Sequence, residues 1–197
     1  IREAHIGFLF APLLHGAMKH AAPVRKAIGI PTVFNVLGPL TNPAGARRQV
    51  MGVFAPDLVR LIAEVMLRLG VEHGLVVHSS EGLDEITLSG PNRAAEVRAG
   101  RVREFDLAPA DLGLPESDVG DMRVETAAQG AEIVRAILGG EKGAKRNLVL
   151  ANAAAAIYVA GLAETPAEGA RLAARAVDSG AARQALEALV ECSHLSA

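Results

Sequence analysis

Apolar and polar positions recur along this chain with two different periods, and the switch between them marks its organisation. Residues 56–70, PDLVRLIAEVMLRLG, place Leu58, Leu61, Ile62, Val65 and Leu69 at helical spacing, the stripe of an amphipathic helix. Pro56 stands at its start and Gly70 closes it, as expected of helix termini. On either side lie RQVMGVFA (48–55) and HGLVVHSS (73–80). Both are short and rich in apolar and β-branched residues, so they read as strands, the second of them buried. Strand, helix and strand within about 30 residues form a βαβ crossover, whose strands run parallel. Active sites on such sheets gather beyond the C-terminal ends of the strands.

Past that unit the period shortens. EITLSG (85–90), AAEVRAG (94–100) and RVREFDLAP (101–109) alternate apolar with polar and are separated by Gly or Pro. They predict a small antiparallel meander with Ala99-Gly100 as its hairpin turn. A loop-rich stretch follows over 109–124. The remainder is helical in pattern: AAQGAEIVRAILGG (127–140), KRNLVLANAAAAIYVAGLA (145–163), TPAEGARLAARAVDSG (165–180) and AARQALEALVE (181–191). Thr165 and Pro166, with Glu168 behind them, make an N-cap signal for the third of these. Near the beginning, APLLHGAMKHA (11–21) and PVRKAIG (23–29) have helical spacing, with Gly29 as a stop. Between them and the first strand, IPTVFNVLGPLTNPAGA (30–46) is too apolar for a surface loop and too interrupted for a regular element; such a segment packs under, or lines, a cavity. With no repeats and no linker, residues 1–197 predict a single α/β domain: a mostly parallel central sheet flanked by helices, with a small antiparallel meander.

Composition narrows the function classes. The chain has 197 residues, 50% of them hydrophobic and only 3% aromatic, so its core is aliphatic. A formal net charge of −2 provides no basic field for a nucleic-acid backbone, and few aromatics are present for base stacking. There is one cysteine, Cys192, so no intrachain disulfide forms, and a reducing cytoplasmic setting is expected. No apolar run reaches the length of a membrane span.

The candidate chemistry is sparse. Histidines 5, 15, 20, 73, 78 and 194 are scattered, without the i, i+4 pairing or Cys partners of a zinc site. No nucleophile elbow, dinucleotide fingerprint or P-loop is present. LGGEKGAK (138–145) has some look of an anion-binding loop, but it reads as a connection between two helices. Asp84 and Glu85 are adjacent, just past the end of the second strand and after a Gly-containing turn. At a bend such a pair can converge on a hard cation such as Mg²⁺; on a solvated loop it does nothing. The residues alone leave both readings open.

In combination the segments are more telling. FLFAPLLHGAMKHAAPVRKAIGIPTVFNVLGPLTNP, then GLDEITLSGP, then LVLANAAAAIYVAG resemble, in that order and over essentially the whole chain, the anthranilate phosphoribosyltransferase family of the nucleoside-phosphorylase-like class. The resemblance implies the C-terminal α/β domain of that class. The implied reaction moves the phosphoribosyl group of phosphoribosyl pyrophosphate to the amine of anthranilate, with release of pyrophosphate, in tryptophan biosynthesis. It places Mg²⁺ on Asp84 and Glu85 and the anthranilate carboxylate on Arg25, whose planar fork suits a carboxylate. Ala11, Pro12 and His15 would border the acceptor ring, Met18 would extend that wall, and Gly38 and Pro39 would line the opposite side. No residue is assigned as an acid or base.

The family usually carries Pro where Gly16 stands, which loosens the backbone beside His15. Family members also carry a helical domain and a Gly-rich phosphate loop upstream of the residue matching Ile1. The chain is therefore expected to be the C-terminal part of a larger enzyme, homodimeric when intact, and by itself nearly inactive. Two alternatives belong to other classes: a pyrimidine nucleoside phosphorylase-like enzyme, which would have no use for Arg25, and a non-enzymatic nucleic-acid-binding relative, which the net charge disfavours.

Overall fold

A computed structural model describes residues 1–9, 27, 29–30, 34–118, 120 and 124–194. Within them the buried run His73–Ser79 forms the hub of a four-stranded sheet, ordered β1 (Arg48–Gly52), β2 (His73–Ser79), β3 (Asn92–Arg98), β4 (Arg101–Leu107). β1 and β2 pair in parallel, Arg48 opposite His73 and Gly52 opposite Val77, across a helical crossover. β3 and β4 add on in antiparallel fashion, and Ala99 and Gly100, with φ of 49° and 73°, make the tight turn between them. Positive φ at both central positions is the geometry a two-residue hairpin requires. The α/β class, the crossover and the meander thus agree with the pattern of the sequence. The balance within the sheet differs: one parallel and two antiparallel ladders join the described strands, because β2 enters β3 through a loop and not through a second crossover.

Alternation along the strands builds two cores. One face of the sheet sends Leu75, Val77 and Ala94 against Ala151, Ala154, Ala155 and Val159 of helix α4 (Ala144–Val159) and Ala170 of α5 (Pro166–Asp178). The other sends Met51, Val76, Ala95 and Val97 against α2 (Leu58–Arg68) and, at its margin, Val36 and Leu40 of α1 (Phe34–Leu40). α3 (Ala127–Leu138) and α6 (Ala181–His194) pack against α5. Gly169 makes the α4–α5 approach possible, since a Cβ there would come within 2.5 Å of the Ala154 carbonyl oxygen. Thr165 caps α5 as expected, its hydroxyl accepting from the Glu168 N–H at 3.2 Å.

Three local expectations are corrected. The buried face of α2 is Val59, Ile62, Ala63 and Met66, while Leu61 and Leu69 are more than half exposed. This helix is apolar over so much of its circumference that two adjacent stripes both satisfy helical spacing, and the packed one contains the smaller residues. FNVLGPL is a regular helix, α1, which carries Pro39 near its C-terminal end at the loss of one backbone hydrogen bond. EITLSG is not a strand; its backbone groups are taken by side chains, as described next.

Candidate metal and substrate site

The chain leaves β2 at Ser79 and returns on itself within a few residues. The Leu83 N–H donates to Ser79 Oγ at 2.9 Å, and the Ser79 N–H donates to the Leu83 carbonyl at 3.0 Å. Gly82, at φ 82°, supplies the left-handed residue this tight return needs. Asp84 and Glu85 come next, on a bend and exposed. Gly52, the last residue of β1, lies directly beneath: a Cβ on it would fall 1.6 Å from the Asp84 carbonyl oxygen. The backbone bearing the carboxylates therefore rests on the C-terminal end of β1, where ligands gather in such sheets.

Beyond the pair the chain turns inward. Ile86 is held by Asn152 of α4: its N–H donates to Asn152 Oδ1 at 3.0 Å, and its carbonyl accepts from Nδ2 at 2.9 Å. Thr87 is held by the fully buried Asn92: its N–H donates to Oδ1 at 2.8 Å, and its carbonyl accepts from Nδ2 at 3.0 Å. Two asparagine amides thus do the work of a strand partner, which is why the alternating pattern here yields no strand.

Glu81 organises the outer side of the loop, accepting hydrogen bonds from the hydroxyls of Thr87 (2.6 Å), Ser80 (3.0 Å) and Ser89. Burial would raise its pKa, but donation from Ser89, Thr87 and Ser80 outweighs this and holds it at about 2. Asp84 and Glu85 differ: among the described residues neither side chain makes a hydrogen bond or an ion pair. His78, buried at the end of β2, donates from Nδ1 to the Val53 carbonyl at 2.8 Å and so fastens the exits of β1 and β2 together.

Towards the other end of β2 lies a further carboxylate, on the neighbouring strand β3. Glu96 is buried and accepts from the Tyr158 hydroxyl (2.5 Å), His73 Nε2 (3.1 Å) and Arg103 Nη2 (3.2 Å). Burial pushes its pKa up, but these donors, Tyr158 foremost, leave it lowered. Tyr158 is shifted up by burial and by the carboxylate it faces.

Of the residues singled out from the sequence, Gly38 and Pro39 are on α1, Gly38 half-buried and Pro39 exposed. The Pro39 carbonyl accepts from Gln49 Nε2 at 2.9 Å, so β1 carries both sets: α1 beside its first residues, Asp84 over its last. Ala11, Pro12, His15, Met18 and Arg25 lie outside the described residues. Asn152, Asn92, Ser79 and Gly52 went unnoticed in the sequence. Two of them carry a faint signal: Asn152 as an amide within an Ala-rich apolar helix, and Gly52 as a glycine at the end of an apolar strand.

The donor set suits a hard divalent cation. Two unpartnered carboxylates are hard oxygen ligands, and no group of three or more His, Cys, Asp or Glu gathers among the described residues. Magnesium fits such a site, because it keeps much of its water and is completed by substrate phosphates.

The family model described as "Glycosyl transferase family, a/b domain" matches residues 1–183. The chain belongs to that family. Relatives similar to this chain bear the name anthranilate phosphoribosyltransferase. Anthranilate phosphoribosyltransferase of Nitrosomonas europaea is 50% identical over 194 residues, covering 98% of this chain and 57% of the relative. The crystal structure of anthranilate phosphoribosyltransferase from Thermus thermophilus superposes with a TM-score of 0.88 at 43% identity, covering 95% of this chain and 56% of that one. The Saccharomyces cerevisiae enzyme, solved in complex with PRPP and Mg, gives a TM-score of 0.81 at 27% identity, covering 90% and 51%. This glycosyl transferase chain thus spans little more than half the length of the relatives it matches. Among its described residues, no helix is long and apolar enough to cross a membrane.

Proposed function

We propose that the chain is the α/β part of an anthranilate phosphoribosyltransferase. The enzyme joins the amine of anthranilate to the anomeric carbon of phosphoribosyl pyrophosphate and releases pyrophosphate. The observation that supports this best is the Asp84–Glu85 pair, exposed and without a partner among the described residues on a backbone held from three sides, in a chain half identical to an enzyme of that name. The pair would hold Mg²⁺ together with the pyrophosphate oxygens. When bound, the cation supplies positive charge opposite the leaving group, where negative charge grows in the transition state. Arg25 would receive the anthranilate carboxylate and so aim the amine, with His15, Ala11, Pro12 and Met18 on one side of the ring and Gly38 and Pro39 on the other. Orientation of this kind lowers the barrier without any residue moving a proton. The homodimeric, cytoplasmic enzyme expected from the resemblance goes with this reading.

The test combines metal binding with turnover. Mn²⁺, read as loss of the free-ion signal in electron paramagnetic resonance, is expected to bind the wild-type chain and to be lost in Asp84→Asn/Glu85→Gln. In the enzyme containing this chain, Arg25→Ala should raise the KM for anthranilate about ten- to hundredfold, the loss of a charged bidentate pair. Undiminished Mn²⁺ binding by the double variant, or an unchanged anthranilate KM in Arg25→Ala, overturns the assignment of those residues.

A further inference from the structure

The segment LVLANAAAAIYVAG bears on the family resemblance, yet no step above requires it. Asn152 sits in the middle of this segment, on α4, and three of the four hydrogen-bonding directions of its amide are set. Oδ1 accepts from the Ile86 N–H at 3.0 Å, while Nδ2 donates to the Ile86 carbonyl at 2.9 Å and to the Leu148 carbonyl at 3.1 Å. Reversing the amide would set its donors against an N–H and its oxygen against two carbonyls, so one orientation is allowed. The residue it grips is the one directly after Glu85, and the Ile86 side chain is fully buried against the α4 face of the sheet.

From this geometry we infer that Asn152 is a positioning residue for the Asp84–Glu85 pair. The inference rests on the metal reading of that pair. Asp84 lies on Gly52, Thr87 is held by Asn92, and Asn152 completes the support between them. The carboxylates project from backbone already ordered, while their side chains stay open. A cation held by two ligands among the described residues gains from such order, because its affinity depends on how well those two are placed.

A purely structural asparagine would lower the melting temperature and leave the folded chain's affinity for metal alone. Three variants separate the cases: Asn152→Ala, which removes the clamp; Asn152→Asp, which keeps the shape but turns both donations into repulsions; and Leu150→Ala, which weakens α4 from another face. Mn²⁺ affinity is measured well below every melting temperature, and amide shifts and exchange at Asp84 and Glu85 are followed without metal. Both Asn152 variants should bind Mn²⁺ about tenfold more weakly and show altered Asp84 and Glu85 amides. Leu150→Ala should melt earlier with neither change. Wild-type affinity and wild-type amides in both Asn152 variants overturn the role. Absence of Mn²⁺ binding by the wild-type chain at millimolar concentration overturns the metal reading and this role with it; the metal-free amide data distinguish that result from failure of the clamp alone.

Discussion

Carboxylates at the two ends of the central sheet meet opposite fates. At the N-terminal end of β2, Glu96 is withdrawn from water, and each of its oxygens is matched by donors from β2, β4 or α4. At the C-terminal end, Asp84 and Glu85 stand in water with no partner among the described residues, although the backbone beneath them is tightly fastened. A buried carboxylate must be satisfied by the protein or it destabilises the fold. An exposed one carries no such penalty, so its charge remains available for a ligand. The difference separates a carboxylate used for folding from a pair held ready for chemistry.

Removing each set should give opposite results, and this is the largest effect expected. Glu96→Ala leaves the Tyr158 hydroxyl and the His73 ring nitrogen buried without their acceptor, at a cost of about 3 kcal/mol. The Arg103 arm adds little, because that side chain is 69% exposed. Asp84→Ala with Glu85→Ala should change stability by no more than about 0.5 kcal/mol. Denaturant unfolding of both variants checks the contrast, and comparable losses would erase it.

How far each end was legible in the sequence follows the same division. Asp84 and Glu85 are adjacent in sequence, and their place after a strand is visible in the short apolar run that ends there. The Glu96 cluster joins His73, Glu96, Arg103 and Tyr158, whose contacts reach across 23 and 62 positions, and nothing local announces it. β2, the hairpin at Ala99-Gly100 and the C-terminal helices were read because pattern and turn chemistry agree there. The reading failed at α2, where Leu61 mimicked a core position, and over 85–90, where Asn92 and Asn152 supply the backbone partners that alternation alone would assign to a strand. A side-chain clamp of this kind has no periodic signature.

The contrast is sharpened from the open end by Gly52→Ala. A methyl group at 1.6 Å from the Asp84 carbonyl oxygen cannot be absorbed by rotating a side chain, because the obstacle is backbone. Either β1 or the carboxylate loop has to move. The expected loss is about 2 kcal/mol, in the range of overpacked sites, with the displacement confined to the open end. Amide shifts around Asp84 should change and those around Glu96 should not. An unchanged loop would mean that Asp84 does not depend on the end of β1 for its place.

The smallest effect concerns Glu81, which shares features of both ends: its side chain is exposed, yet three hydroxyls satisfy it. Its folded pKa is about 2 against the usual 4.5. A depressed carboxyl stabilises the fold above its unfolded value, and that contribution disappears as pH falls through the folded one. The wild-type chain should therefore exceed Glu81→Gln in melting temperature at pH 6, and the gap should narrow as pH falls from 4.5 towards 2. Glu96 is lowered as well, but it is present in both proteins and cancels in the difference. Solvent screening keeps the gap small. A gap that does not depend on pH would show that the three hydroxyls favour Glu81 by shape and not by its charge, and would move Glu81 out of the class of ionised, protein-satisfied carboxylates to which Glu96 belongs.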